Sequence, residues 1–200
     1  MFCCWSMISC LPEADRIWEG SVIVKGSVFI AASLDGFIAR ENGDIDWLTR
    51  FEGGGTGEDY GFKAFLDTVD VLVMGRHTFE KVVMFHPWPY GIKPVVVLGT
   101  SSVQIPEPLS HVVTWKSGNP TDIVRELSEQ GAKHLYIDGG KTIQGFLNAG
   151  LIQRMTITRI PVLLGRGIPL FGPTNRDVTL RCMDTRQYTN GLVQSTYEVI

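Results

Sequence analysis

The sequence lacks long apolar segments and any concentration of positive charge. No apolar run approaches the roughly 20 residues that a membrane-spanning helix needs, so a membrane location is not expected. Lysine and arginine number 18 against 21 aspartates and glutamates, and they form no basic stripe that would suit a phosphate backbone. The composition therefore predicts a soluble, cytoplasmic protein that binds neither a membrane nor a nucleic acid.

Cysteine is also scarce, and its positions fit neither a disulfide framework nor a metal site. Three of the four cysteines lie within the first ten residues, while Cys182 is alone near the other end. A disulfide framework in a chain of this length would need more cysteines, and the spacing is unlike that of a zinc site. His77 and His86 lie nine residues apart without a third ligand nearby. We therefore expect a reducing compartment and no bound metal.

The first 25 residues have neither the basic start nor the clean apolar stretch of a secretory signal. They show no alternation and no repeat, so we expect an unstructured or atypical N-terminal extension over residues 1–25. With 44% hydrophobic residues, the rest of the chain can bury one sizeable core. A single domain is therefore predicted over residues 26–200.

Apolar runs alternate with helical patterns through most of this domain. Buried strands are predicted at 27–32, 71–74, 93–99, 112–115 and 134–137, and helices at 58–68, after residue 75, at 120–130 and up to residue 149. Two later strands, 178–185 and 192–199, are joined near Asn190-Gly191 and predict an antiparallel hairpin. The pattern favours an α/β three-layer sandwich with a mostly parallel central sheet and a C-terminal antiparallel hairpin.

The polar stretch from Arg40 to Glu58 contains several glycines and is predicted to be a long flexible loop. Trp47 lies in the middle of this stretch, where a large apolar side chain is unexpected. The residues alone leave two interpretations open. Trp47 either anchors the loop to the core or contacts a ligand.

Three polar segments follow predicted buried strands, and parallel strands bind ligands at their carboxyl ends. A single strand–glycine–helix junction is equally consistent with an ordinary tight turn. Together, helix N-termini, hydroxyl groups and cations favour a ligand with several phosphates, such as a dinucleotide with an extra 2′-phosphate. No G-x-G-x-x-G follows the first strand, so this is not the Rossmann fingerprint. The segments are Gly75-Arg76-His77-Thr78, Thr100-Ser101-Ser102 and Gly139-Gly140-Lys141-Thr142.

These segments carry a resemblance to known enzymes. VLVMGRHTFE, VVVLGTSS and IDGGKTIQGFL, in this order, resemble the dihydrofolate reductase fold. AASLDGFIA followed by DWLT, and later IPVLLGRGIPLF, are more similar to the reductase (C-terminal) domain of the riboflavin-pathway deaminase-reductase and its stand-alone relatives. The resemblance runs from about Ser27 to Val199. The deaminase zinc motif, H-x-E with P-C-x-x-C, is absent, so a reductase alone is expected.

The resemblance implies NADPH as the hydride donor and places thirteen residues against this cofactor. Gly75, Arg76 and Thr78 would hold the pyrophosphate region, while Thr100, Ser101 and Ser102 would surround the adenosine 2′-phosphate; Gly139, Gly140, Lys141, Thr142 and Ile143 would lie against the phosphates and the nicotinamide side, and Ala32 and Trp47 would contact the nicotinamide half. On this resemblance, a ligand contact becomes the favoured interpretation of Trp47.

Two aspartates are candidates for orienting the substrate. Dihydrofolate reductases carry an acidic residue on the first helix that hydrogen-bonds the pterin, and Asp59 matches it by lying sixteen residues before Gly75. The alternative for Asp59 is a first-turn acid that stabilises a helix. In the riboflavin reductases an acidic residue just before Gly-Gly contacts the substrate, and Asp138 occupies that place. The alternative for Asp138 is turn chemistry.

The chain also departs from its riboflavin-pathway relatives. They carry Asp-Asp-Pro after the Gly-x-x-Thr turn and nearby arginines for the ribityl phosphate, where this chain has Phe79-Glu80-Lys81-Val82-Val83. The resemblance implies an NADPH-dependent oxidoreductase, in a homodimer, that reduces a pteridine- or aminopyrimidine-like small molecule, of the 5-amino-6-(5-phosphoribosylamino)uracil reductase type. A dihydrofolate reductase and a catalytically inactive nucleotide-binding relative are the alternatives.

Overall fold

The structure, a computed structural model, describes residues 24–52 and 58–200. Most of the predicted N-terminal extension, up to residue 23, lies outside these ranges, as does the glycine run at 53–55. Among the described residues, the first strand begins at Lys25.

The described chain forms ten strands and five α-helices, with a short 3₁₀ helix at Glu107–Leu109. The strands are β1 (Lys25–Ser33), β2 (Phe37–Ala39), β3 (Val71–Gly75), β4 (Val95–Leu98), β5 (Val113–Lys116), β6 (His134–Asp138), β7 (Arg154–Ile160), β8 (Ile168–Pro169), β9 (Leu180–Gln187) and β10 (Val193–Val199). The helices are α1 (Asp46–Glu52), α2 (Phe62–Asp67), α3 (Arg76–Val82), α4 (Pro120–Glu129) and α5 (Gly140–Asn148).

Eight strands form one sheet in the order β5-β4-β3-β6-β1-β7-β10-β9, and β2 pairs with β8 outside it. The strands from β5 to β7 pair in parallel, whereas β10 runs antiparallel to both β7 and β9. Helices follow most of the parallel strands because a parallel connection needs a crossover. The mostly parallel sheet with a C-terminal antiparallel hairpin is therefore confirmed.

Helices cover both faces of the sheet, which completes the predicted three layers. Ile123 of α4 and Phe146 of α5 belong to the buried cluster that includes Val73. On the opposite face, Phe79 of α3 and the partly buried side chains of α2 pack in the cluster around Met74. Because adjacent residues of β3 are buried on opposite faces, the central strands read as continuous apolar runs.

The prediction of one long loop from residue 40 to 58 is wrong in part. Residues Asp46–Glu52 form α1, and the side chain of Trp47 is only 1% exposed. It packs in a small cluster with Ile160 and Leu192. The apolar positions of DWLTRFE recur at helical spacing, but seven residues between polar, glycine-containing stretches are too few to show a clear period.

The predicted helix at 58–68 is shorter than expected. It begins at Phe62 because Tyr60 and Gly61 have positive φ values of 55° and 82°, a left-handed backbone that cannot continue into a helix. The pairing of β2 with β8 was not predicted either. These strands have three and two residues, which is too short for alternation to be seen.

The longest helix of the described residues, α4, has ten residues, and none of their helices has both the length and the apolar character to cross a membrane. Within the same ranges, no three histidines, cysteines or acidic residues are grouped so that they could hold a metal ion.

Candidate cofactor and substrate site

The carboxyl ends of β3, β4 and β6 bring the three predicted polar segments together. β3 pairs with β4 on one side and with β6 on the other, so the residues that follow these strands share one edge of the sheet. Neighbouring strands lie only about 4.8 Å apart. The sequence predicted this arrangement because all three segments directly follow buried strands.

The segments after β3 and β6 fit tightly against each other. Gly139 has a φ of 89°, and a Cβ at this position would lie 2.2 Å from the Oγ1 of Thr78. A Cβ on Gly75 would lie 2.9 Å from the Oγ1 of Thr142. Because a Cβ would be too close to a threonine oxygen at either position, both positions favour glycine. The backbone can therefore come close to a ligand here, at the N-terminus of the nine-residue helix α5.

Arg76 connects α3 with the segment that follows β4. Its Nη1 donates to the Oγ of Ser101 over 3.0 Å, and its Nε donates to Oε1 of Glu80 over 2.7 Å. The side chain of Arg76 is 44% exposed, and Thr100 and Ser102 beside Ser101 are exposed as well. A guanidinium and three hydroxyl residues therefore lie together at the surface, as a phosphate site requires.

Trp115 of β5 contributes a donor that sequence reasoning missed. Its indole Nε1 is buried and has no hydrogen-bond partner among the described residues. A Cβ on Gly99 would lie 3.6 Å from this nitrogen and 3.2 Å from the carbonyl oxygen of Ser101. Buried polar groups in proteins usually have a partner, so this unpaired donor beside Ser101 fits a polar ligand. Only the place of Trp115 on the neighbouring strand could have indicated it.

Four of the predicted cofactor contacts differ in their exposure. Gly140 is buried, and a Cβ there would lie 3.0 Å from the carbonyl oxygen of Pro169, so this position has little room for a side chain. Ile143 is completely buried in the core on the α4 and α5 face. Lys141 is exposed and Thr142 is half-buried. Lys141 is therefore the residue of this segment whose charge is free to reach an anion.

The two residues that were predicted at the nicotinamide half are both buried. Ala32 is 2% exposed and Trp47 is 1% exposed. The ring of Trp47 packs against protein, which agrees with the anchoring interpretation, and its Nε1 has no partner among the described residues. A contact of either residue with the cofactor stays a prediction.

Asp138 ends β6 and lies at the base of this edge, where it is partly buried. Its Oδ1 accepts a hydrogen bond of 2.8 Å from the backbone N–H of Gly139. Burial raises the pKa of Asp138 to about 6, and that hydrogen bond offsets the effect only in part. Burial, and then the nearby charge of Asp138, also raise the pKa values of Tyr90 and Tyr136. Near neutral pH, Asp138 can therefore both accept and donate a proton.

Asp59, the other candidate acid, is exposed, and its carboxylate is hydrogen-bonded to the backbone. Its two carboxylate oxygens accept hydrogen bonds from the backbone N–H groups of Gly61 and Lys63, each over 2.9 Å. These bonds, led by that of Lys63, lower the pKa of Asp59. The arrangement is that of a residue stabilising the start of α2, in agreement with the alternative interpretation of Asp59. A contact of Asp59 with substrate stays a prediction.

The loop between β2 and α1 spans the same edge. The Oδ1 of Asp44 accepts a hydrogen bond of 2.8 Å from the Nζ of Lys81 on α3. α3 follows β3, whereas β2 follows β1, and β6 lies between those two strands. The loop therefore crosses the carboxyl ends of the central strands. No local sequence pattern indicates this ion pair, because its partners are 37 positions apart.

The AASLDGFIA and LLGRG segments meet at Asp35. Its carboxylate accepts hydrogen bonds from the hydroxyl of Ser33 and from the N–H groups of Leu164 and Gly165, over 2.6 to 3.2 Å. These bonds, led by that of Ser33, lower the pKa of Asp35. Asp35 thereby fixes the loop after β7 next to the carboxyl end of β1.

Comparison with known proteins gives a consistent set of similarities. Residues 24–194 match the family described as the RibD C-terminal domain. The uncharacterized protein YwjB of Bacillus subtilis (strain 168) is 37% identical over 165 residues, which cover 82% of this chain and 92% of that protein. The riboflavin biosynthesis protein RibD of Corynebacterium ammoniagenes is 25% identical over 173 residues, which cover 79% of this chain and 50% of that protein.

Solved structures show the same similarity. A Shewanella sp. PV-4 protein that is assigned provisionally to riboflavin biosynthesis has a TM-score of 0.83 and 41% identity, covering 88% of this chain and 99% of that one. Dihydrofolate reductase from Enterococcus faecalis, complexed with NADP(H), has a TM-score of 0.61 and 17% identity, covering 88% and 96%. At that identity the second similarity shows the fold alone.

Proposed function

The chain belongs to the RibD C-terminal domain family, a family of reductases with the fold of dihydrofolate reductase, and we propose that it is an NADPH-dependent reductase of a pteridine- or aminopyrimidine-like heterocycle. The observation that carries this proposal is the contact among the three edge segments. Arg76 binds Ser101, and Gly139 fits against Thr78 without space for a Cβ. These contacts form one continuous surface for a ligand with phosphates at two places.

The described residues fit a dinucleotide with a 2′-phosphate. The start of α5 at Gly139 and Gly140 offers backbone N–H groups and the positive end of a helix dipole to a pyrophosphate. The resemblance implies Arg76 at the pyrophosphate region, but its hydrogen bond to Ser101 favours the 2′-phosphate instead. Arg76, Ser101 and the exposed hydroxyls beside them offer donors to that phosphate, close to the indole N–H of Trp115, which has no partner among the described residues. NADPH, when bound, supplies the hydride.

Asp138 is the residue that we propose takes part in the reaction. A carboxyl group with a pKa of about 6 can accept a hydrogen bond from a ring N–H or donate a proton to a ring atom at neutral pH. Asp138 lies directly before Gly139, so it is adjacent to the proposed pyrophosphate site. Asp59 is the weaker candidate because both of its oxygens already bind backbone N–H groups.

The substrate class is proposed from the relatives. A Thermotoga maritima relative with a TM-score of 0.67 and 15% identity is a deaminase/5-amino-6-(5-phosphoribosylamino)uracil reductase, and this chain covers 57% of it. In the segment that departs from such enzymes, Glu80 binds Arg76 and Lys81 binds Asp44. These side chains are therefore engaged within the protein, which favours testing the substrate both with and without its phosphate.

A homodimer is proposed as the assembly, formed through the C-terminal hairpin. All eight residues of β9 are exposed, although β9 belongs to the large sheet. Its apolar side chains include Leu180 at 38% exposure and Met183 at 48%. An edge strand that exposes apolar side chains favours association, because burial of that surface is stabilising.

The test is NADPH oxidation, followed at saturating NADPH with dihydrofolate, with 5-amino-6-(5-phosphoribosylamino)uracil and with its dephosphorylated form. Turnover of an aminopyrimidine supports the proposal, and turnover of dihydrofolate alone would replace it with a dihydrofolate reductase. Binding of NADPH without turnover of any substrate would indicate the inactive nucleotide-binding relative. Failure to bind NADPH at millimolar concentration would contradict all three.

A further inference from the structure

Glu80 contacts two side chains of the first turn of α3, those of Arg76 and His77, and the proposed reaction makes no use of it. Its Oε1 accepts a hydrogen bond of 2.7 Å from the Nε of Arg76, and its Oε2 lies 3.2 Å from the Nδ1 of His77. The guanidinium of Arg76 also binds Ser101 over 3.0 Å. A carboxylate is therefore built into the site where the 2′-phosphate is proposed to bind.

Glu80 is charged in this arrangement. The hydrogen bond from Arg76 is the main cause that lowers the pKa of Glu80, with His77 adding to it. The neighbouring cation on α3, Lys81, is turned toward Asp44 and forms an ion pair with it. The negative charge of Glu80 therefore offsets the charge of Arg76 itself.

We propose that Glu80 determines the strength of 2′-phosphate binding, by competing with the phosphate for Arg76. This inference rests on the proposed function, because it assumes that Arg76 and Ser101 receive that phosphate. A guanidinium has five N–H donors, and those toward Glu80 and Ser101 are the two that described residues engage. The others can bind phosphate, but the carboxylate of Glu80 repels it. The affinity for a 2′-phosphorylated nucleotide is thus held below what Arg76 alone would give.

The effect is specific to the 2′-phosphate because repulsion between exposed charges falls off within about 10 Å at ordinary ionic strength. A nucleotide without this phosphate has no group that competes with Glu80 for Arg76, so its affinity should depend much less on the carboxylate. The carboxylate therefore lowers the selectivity for NADPH over NADH and speeds the release of NADPH.

The test is the substitution Glu80→Gln, which removes the charge and keeps an acceptor for the Nε of Arg76. Dissociation constants for NADPH, NADH and adenosine 2′,5′-bisphosphate are measured by calorimetry at low and at high salt. The expected result is about threefold or greater tightening for NADPH and the bisphosphate at low salt, with NADH unchanged. Because salt screens the exposed charges, the gain should shrink at high salt.

Two controls identify the origin of the change. Glu129→Gln removes the same charge from an exposed position of α4 and should leave all three constants unchanged. In an Arg76→Ala background, Glu80→Gln should tighten NADPH less than it does in the wild type, because the competition for Arg76 is gone and only direct repulsion of the phosphate remains. Thermal unfolding of each variant checks that the fold is kept, as expected when an exposed i,i+4 pair is lost.

Weaker NADPH binding by Glu80→Gln would overturn the inference and would show that Glu80 only orients Arg76. An equal change for NADPH and NADH, or the same change in Glu129→Gln, would overturn it as well. If the wild type binds neither NADPH nor the bisphosphate, the proposed function itself fails. If it binds both and Glu80→Gln has no effect, only the inference about Glu80 fails.

Discussion

Gly139 and Thr78 approach each other so closely that a Cβ at position 139 would lie 2.2 Å from the Oγ1 of Thr78. This contact holds the start of α5 against the first turn of α3. Two strand–helix junctions that lie far apart in the sequence therefore form one surface.

Substitution Gly139→Ala should therefore reduce both stability and NADPH binding. At a φ of 89° the methyl group strains the backbone, which costs roughly 1–3 kcal/mol, and it also forces Thr78 to move. The matched control is Gly150→Ala, which has a φ of 70° but no atom within 4 Å of the added Cβ. Chemical denaturation and NADPH titration of both variants check the prediction. Loss of NADPH affinity in Gly150→Ala as well would assign the effect to stability alone.

Substitution Arg76→Ala should weaken NADPH more than NADH. Hydrogen bonds to charged groups contribute about 1.5–3 kcal/mol, so we expect NADPH to bind roughly 10- to 100-fold more weakly. NADH lacks the 2′-phosphate and should lose much less. Arg125→Ala is the control, since Arg125 lies on α4 and pairs with Asp122 there. Equal losses for the two cofactors would leave Arg76 as a pyrophosphate contact or a residue of the fold.

Substitution Asp138→Asn should change how stability depends on pH. Burial raises the pKa of Asp138 from 3.8 to about 6, so its protonated form is favoured in the folded state. The stability that the folded state gains by holding this proton is complete below pH 3.8. It is lost as the pH rises to about 6, because the carboxyl group then ionises in the folded state as well. The wild type should therefore lose up to about 3 kcal/mol relative to Asp138→Asn over this window. Denaturant unfolding at several pH values measures the difference, and a constant difference would contradict the raised pKa.

More of the fold than of the candidate site could be predicted from the sequence. Continuous apolar runs such as Val71–Met74 mark buried parallel strands, and the polar residues after them mark one edge of the sheet, so these features follow from local pattern. Trp115 and the pair of Asp44 with Lys81 depend on which strands are neighbours and on where a loop crosses, and neither is encoded locally. Asp59 matched a substrate-binding position by spacing, although the structure shows its oxygens bound to the start of α2.

Substitution Met183→Glu should break the proposed homodimer. Met183 lies on the exposed edge strand β9, and a buried carboxylate without a partner is strongly unfavourable at an interface. Light scattering should give about twice the chain mass of 22.2 kDa for the wild type and the chain mass for the variant. Ile92→Glu is the control, because Ile92 is 85% exposed and lies outside the hairpin. A monomeric wild type would contradict the proposed assembly.

The central claim is that the edge formed by Gly75–Thr78, Thr100–Ser102 and Gly139–Thr142 binds a dinucleotide with a 2′-phosphate. Titration of the wild-type protein with NADPH and with NADH, under identical salt and pH, tests it most directly. The structure predicts saturable binding of both cofactors, with a lower dissociation constant for NADPH. Equal affinities, or no binding of NADPH, would contradict it.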